Sequence, residues 1–318
     1  GLARGTVGIA DAARIAKLRA DAVRAFRAGR LDPDAAAVGG ERTAREELAA
    51  RGFSEACVRR FFVPFFGGVF LERSLDTATP VFLFDFAMFS LGSACLPDGG
   101  MAAIPAQLAA GLPDSALMLR RPARRVEPGR VTFADGTALS APHVVVATEL
   151  AAAAALLPPE HAGPWSARAA KPTRLVAFAG DRSPLTGRTL VVSAEQGGPI
   201  DNLTVPSDVA AGYAPPGAAL VQVSVRADWQ GGPATLVDAV RDQAATWFGP
   251  AARGWRHLAT VEVPRALPDE SPAARRLRPA GPQLAPGLLL CGDHCGSASI
   301  NGALASGRRC AEALLASG

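Results

Sequence analysis

Apolar residues near the start of the chain recur at helical spacing. Ile9, Ala13, Ala16, Ala20, Val23 and Ala28 carry arginines between them, which predicts a helix over 7–29 stopped by Gly29. A second helix is predicted over 41–51, closed by Gly52, and a third from the N-cap residue Ser54 to Phe62. After Pro97-Asp98-Gly99-Gly100-Met101 a short helix runs to Ala110. Strand signals follow at 116–119, Val126 and 131–133, with Asp135-Gly136 as a hairpin turn. The run 142–148 (Pro-His-Val-Val-Val-Ala-Thr) reads as a buried parallel strand, and an alanine-rich helix, 149–157, leaves it.

Residues 173–265 carry a different pattern. Strand-like runs at 174–179, 189–194, 202–205, 219–227 and 257–263 alternate with Gly/Pro turns, and one helix, 234–248, interrupts them. The pattern predicts a mainly antiparallel sheet. A Pro/Arg-rich connector, 264–286, leads to a strand ending in Cys291-Gly292-Asp293 and a last helix over 300–316.

Composition narrows the class. The 318 residues are 49% hydrophobic and 19% charged, which excludes intrinsic disorder. The net charge of +4 comes almost wholly from arginines interleaved with acids, so no nucleic-acid stripe is present. Five cysteines without framework spacing suit reduced thiols and a cytoplasmic setting. Asp85 interrupts the most apolar run, so none approaches a membrane span. The chain opens at Gly1 without a methionine, which suggests a fragment or a processed chain.

Nine phenylalanines (61, 62, 65, 66, 70, 82, 84, 86 and 89) crowd one stretch. The crowding suits a helical core and equally the wall of a deep apolar pocket. Phe65, Phe66 and Phe84 are the candidate pocket residues.

The strand ending at Gly292-Asp293 meets a glycine/serine loop and then a helix opening at Ile300-Asn301-Gly302. Unpaired N–H groups and the positive dipole end suit a negatively charged ligand oxygen. Asp293 is placed to accept hydrogen bonds from ligand hydroxyls, and the small residues Gly296, Ser297 and Ser299 let a flat ligand approach the backbone.

These residues carry a resemblance. Leu-Leu-Leu-Cys-Gly-Asp-His over 288–294, Gly-Ser-Ala-Ser-Ile-Asn-Gly-Ala over 296–303 and Ser306-Gly307-Arg308 resemble the C-terminal flavin-binding segment of the FAD-dependent amine oxidase superfamily. The phytoene desaturase-like and protoporphyrinogen oxidase-like proteins belong to it. Pro97-Asp98-Gly99-Gly100-Met101 and the 135–148 segment are similar to two further stretches of those proteins.

The resemblance implies an α/β fold in which a divided, Rossmann-like FAD-binding domain interleaves with an α+β substrate domain. The expected divisions are 1–95 (helical part of the substrate domain), 96–157 (FAD-domain segment), 158–272 (sheet part of the substrate domain) and 273–318 (C-terminal FAD segment). It implies FAD as cofactor, held by Gly292, Asp293, Ser299, Ile300, Asn301 and Gly302. It also implies hydride transfer from an apolar small-molecule substrate to the flavin, with peripheral membrane contact a further expectation. Flavin amine oxidation and a non-catalytic binding module are the alternatives. Oligomeric state and catalytic acid or base residues are not read from the sequence.

The chain departs from the superfamily in having no G-x-G-x-x-G, so it is expected to start after the nucleotide-binding unit. Val38-Gly39-Gly40 reads as a loop leading into a helix. The lysine that amine oxidases of this superfamily often carry near the flavin corresponds to Lys171 or to the position of Arg174. Arg174 joins the candidate substrate pocket, although a surface charge at a strand start explains it as well. Cys291, His294 and Cys295 lack the four well-spaced ligands of structural zinc, so no metal is expected.

Overall fold

A computed structural model of the chain describes residues 7–35, 37, 39–195 and 197–317. The predicted helices form with shifted ends. The first is Ile9–Arg27, and Ala44–Ala50 starts from a capping box in which Thr43 and Glu46 satisfy each other's backbone N–H groups. Val38 of the preceding loop lies outside the described residues. Ser54 caps Glu55–Cys57, after which the helix widens into a π-turn over Val58–Phe62 and continues as Val63–Phe70. The widened turn ends two residues before Pro64, which has no N–H to give to the carbonyl four residues back.

Apolar faces of these helices and of Thr79–Leu91 close on one another. Phe62, Phe66 and Phe82 are fully buried, and the Phe66 ring lies 4.9 Å from Phe82 and 5.9 Å from Phe86. Phe66 is therefore core in this fold. Phe65 is half-buried with its ring edge on Phe89, and Phe84 is half-buried against Phe26.

Three sheets follow. Strands β1 (Ala123–Glu127), β2 (Arg130–Phe133) and β3 (Ala138–Ser140) form an antiparallel meander. The strand expected at 116–119 does not form. Asp114–Ala116 is a short 3-10 turn, and Leu117–Leu119 has no neighbouring strand to complete a ladder.

Strand β4 (Val144–Val146) later receives β11 (Leu288–Leu290) as a parallel partner, with β10 (Gln283–Ala285) antiparallel beyond it. Among the described residues the other edge of β4 has no strand partner.

The five-stranded antiparallel sheet runs in the order β6 (Val191–Val192), β7 (Ile200–Thr204), β8 (Ala219–Val225), β5 (Ala170–Gly180) and β9 (Arg256–Pro268). Alternation buries Val176, Phe178, Val221 and Val223 against Leu236, Val240 and Ala244 of the Pro233–Phe248 helix. The chain is thus a mixed helix/sheet protein. Pairing of β4 with β11 joins segments about 140 residues apart in sequence and sets up the site below. No described helix is long and apolar enough to cross a membrane.

Candidate functional site

Strands β4 and β11 run in register, Val144 beside Leu288 through Val146 beside Leu290, so their carboxyl ends lie side by side. The ends of parallel strands in open α/β sheets are where ligands collect. Thr148-Glu149 and Gly292-Asp293 emerge there. Glu149 caps the Leu150–Leu156 helix through the N–H groups of Ala151 (2.8 Å) and Ala152 (3.0 Å), and it also accepts from Arg265 at 3.0 Å.

Gly292 turns the chain sharply, with φ +153°, and a Cβ there would come within 2.5 Å of the His294 ring. Its N–H donates to Ser306 Oγ at 2.9 Å, which fastens the turn to the Ile300–Ser317 helix. The Asp293 side chain keeps 29% exposure and meets His294 Nδ1 only at 3.8 Å. Its carboxylate is therefore open to a ligand.

Ser299 Oγ accepts the N–H of Gly302 at 2.9 Å and shares a hydrogen bond with Ser297 Oγ at 3.1 Å. Gly302 is required, because a Cβ would sit 1.8 Å from the Ser297 carbonyl oxygen. Among the described residues the N–H groups of Ile300 and Asn301 have no protein acceptor. Both side chains face solvent, Ile300 with 51% exposure. Two free donors at a positive helix end thus follow the turn that carries an open carboxylate, and Gly296, Ser297, Ala298 and Ser299 lead into that helix end.

Buried charge holds this turn. Arg168 Nη1 donates to the His294 carbonyl at 2.5 Å, and its Nη2 donates to the Asp269 carbonyl (2.8 Å) and Glu270 Oε1 (2.9 Å). Glu270 also pairs with Arg278 and lies 3.8 Å from Arg275. Burial pushes the Glu270 carboxyl upward, while the three guanidiniums pull it back. Asp34 adds a second clamp by accepting from the Ser297 N–H and from Arg309 at 2.6 Å. Sequence reading missed both hubs, since their partners lie far apart in the chain.

The remaining predicted residues lie elsewhere. Phe65, Phe66 and Phe84 belong to the helical layer described above. Arg174 forms an ion pair with Glu262 at 2.9 Å and lines a cleft of about 220 Å³ with Arg226 and Trp229. Lys171 pairs with Glu72 and lies 3.8 Å from Asp269. Asp85, half-buried on an otherwise apolar helix, is pushed up to about 7 by burial and by the nearby Glu270. Burial also raises the thiols of Cys291, Cys295 and Cys310, the latter two to about 12, which leaves them unreactive.

The donor set fits a flavin. Free N–H groups suit a ring carbonyl, an open carboxylate suits chain hydroxyls, and the glycines leave room for a flat group. Parallel strands that present such a turn at their carboxyl edge are a common setting for a bound cofactor. Residues 10–315 match the family described as flavin containing amine oxidoreductase, and the chain belongs to that family. It is an FAD-dependent oxidoreductase.

Among solved structures, putrescine oxidase bound to putrescine superposes with a TM-score of 0.72 at 12% identity, covering 98% of this chain and 76% of that one. Cyclohexylamine oxidase from Brevibacterium oxydans gives 0.61 at 18%, with 91% and 68% covered. A protein from Pyrococcus furiosus gives 0.69 at 15%, with 92% and 70% covered. At these identities the likeness is one of fold. No curated protein matches the chain by sequence.

Proposed function

We propose that the chain uses a divided, Rossmann-like FAD-binding part, formed by 96–157 and 273–318, beside a substrate part formed by 1–95 and 158–272. The observation that carries this reading is the β4–β11 pair, which joins the two proposed FAD segments and presents Asp293 and the free N–H groups of Ile300 and Asn301 at one edge. Asp293 accepts hydrogen bonds from the ribityl end of the cofactor. The Ile300 and Asn301 N–H groups donate to the ring's oxygen-bearing edge, with Ser299 and Gly302 holding the helix start in shape and Gly292 setting the turn.

When bound, FAD supplies a two-electron acceptor for a hydride leaving a substrate carbon. The protein's part is to orient the substrate and exclude water. Half-buried Phe65 and exposed Phe89, on the outer side of the helical layer, support an apolar substrate and a desaturase or oxidase type of reaction. The second reading is amine oxidation, favoured by the family description and by the putrescine and cyclohexylamine oxidases of like fold.

Equilibrium titration of the chain with FAD, followed by anaerobic bleaching with apolar polyenes and with small amines, tests both readings. Binding that weakens about 10-fold or more in Asp293→Ala, with bleaching by polyenes alone, is the expected result. Bleaching by amines alone selects the second reading. FAD binding that is unchanged in Asp293→Ala would overturn the assignment of Asp293 to the cofactor edge.

A further inference from the structure

A cavity of about 870 Å³ opens where β5 ends and β9 begins. The other ends of these strands, at Ala170 and Pro268, join the Arg168–Glu270 cluster beneath the 292–299 turn. An 11-residue strand separates the two regions, roughly 33 Å at strand rise. The cavity is therefore separate from the cofactor edge.

Its lining combines an aromatic wall with unpaired donors. Phe248 and Trp255 form the wall, with ring centroids 6.3 Å apart. Trp255 is only 6% exposed, yet its indole Nε1 has no hydrogen-bond partner and is not among the sealed unpaired atoms of the interior. It therefore opens into the space that it lines. Gly180, which also lines the cavity, packs against this edge of the indole, where a Cβ would stand 3.4 Å from the nitrogen.

Arg182 and Arg256 also line the cavity, and among the described residues neither has an acidic or carbonyl partner. Neighbouring arginines differ. Arg253 pairs with Asp242 at 2.9 Å, and Arg241 donates to the Trp255 carbonyl at 2.7 Å. Asp181, likewise unpaired, lies on the same rim.

Two exposed, unpaired guanidiniums and an indole N–H offer donors to an anionic acceptor, and planar guanidinium matches carboxylate geometry best. The aromatic wall calls for a flat apolar body. Asp181 disfavours a second negative charge on the ligand and suits a hydroxyl or ammonium substituent. The volume is that of a small-molecule pocket. We propose that this cavity is a second binding site, distinct from the cofactor edge, for a small aromatic monocarboxylate. The ring lies against Phe248 and Trp255, and the carboxylate lies on Arg182, Arg256 and the indole N–H.

Calorimetric titration of the full chain with 2-naphthoate tests it, with neutral 2-naphthamide as the isosteric control. The expected result is one site per chain, at least 10-fold tighter for naphthoate than for the amide. Combined Arg182→Ala and Arg256→Ala substitution is expected to weaken binding at least 10-fold. Ala251→Trp, at an exposed lining position, is expected to abolish it with the thermal midpoint unchanged. The proposal is overturned by no binding of naphthoate at millimolar concentration, by equal binding of the amide, or by full binding to the arginine double variant. Loss of naphthoate binding in Asp293→Ala with retention in Ala251→Trp would place the ligand at the cofactor edge and also overturn it. The exposed arginine variants decide the matter if Ala251→Trp fails to fold.

Discussion

Arg168 reaches across 126 positions of sequence to donate to the backbone carbonyl of His294 at 2.5 Å. Its side chain is fully buried, and so is its partner Glu270, at 3% exposure. Breaking a buried pair strands the remaining charge, which typically costs about 3–5 kcal/mol. Arg168→Met is expected to lose stability in that range, and Glu270→Leu at least as much, because it leaves three guanidiniums without their shared carboxylate. Urea denaturation midpoints measure both.

Two glycines of the last helix predict opposite outcomes. Gly302→Ala drives a Cβ into the Ser297 carbonyl, whereas Gly307 has nothing within 4 Å of its would-be Cβ. Gly302→Ala is expected to destabilise by about 1–3 kcal/mol, as overpacking does. Gly307→Ala is expected to stabilise by about 0.4–1 kcal/mol through the unfolded chain. Hydrogen exchange across the 292–302 turn should quicken in the first variant and not in the second.

Asp85 sets a pH dependence. Its carboxyl rises from 3.8 to about 7 on folding, so between these values the native state holds a proton that the unfolded state has released. Stability from this group is complete below about pH 4 and is lost as the pH rises through about 7. Asp85→Asn is expected to exceed the wild type in thermal midpoint at pH 8, with the gap closing toward pH 4. A gap that does not change with pH would show that Asp85 ionises normally.

Thiol reactivity should separate the cysteines. Cys95 is exposed, whereas Cys57, Cys291 and Cys310 are buried and Cys295 is half-buried. Burial raises Cys57 to about 11 and Cys295 to about 12. A disulfide reagent at pH 8 is expected to modify one thiol rapidly in the native chain and the other four only after denaturant is added. Cys95→Ser removes the fast phase.

Elements whose signal is local were readable in advance. Within the 142–148 run Val144–Val146 became β4, because β-branched side chains fit a pleated sheet, although Val145 is exposed where a fully buried strand was expected. Ser54 capped its helix as its residue type suggests. Leu117–Leu119 carried a strand-like run and formed none, because a strand exists only with a partner and the described chain sets none beside it. The phenylalanine run was equally compatible with pocket and core, since residue type does not say which side of a helix is covered. Packing against Phe82 and Phe86 decided it for Phe66.

By itself the sequence determined the periodicities, the Gly-Asp turn after a buried strand, and the small residues at the start of the last helix. These depend on backbone sterics and on side-chain spacing over a few residues. Only the tertiary structure decided that β11 lies beside β4, that Arg168 and Asp34 clamp the turn from distant segments, and that Arg182, Arg256 and Trp255 face one cavity. Such relationships depend on which surfaces meet once apolar faces are buried. Desolvation then makes each buried charge seek a partner wherever in the chain the fold has brought one.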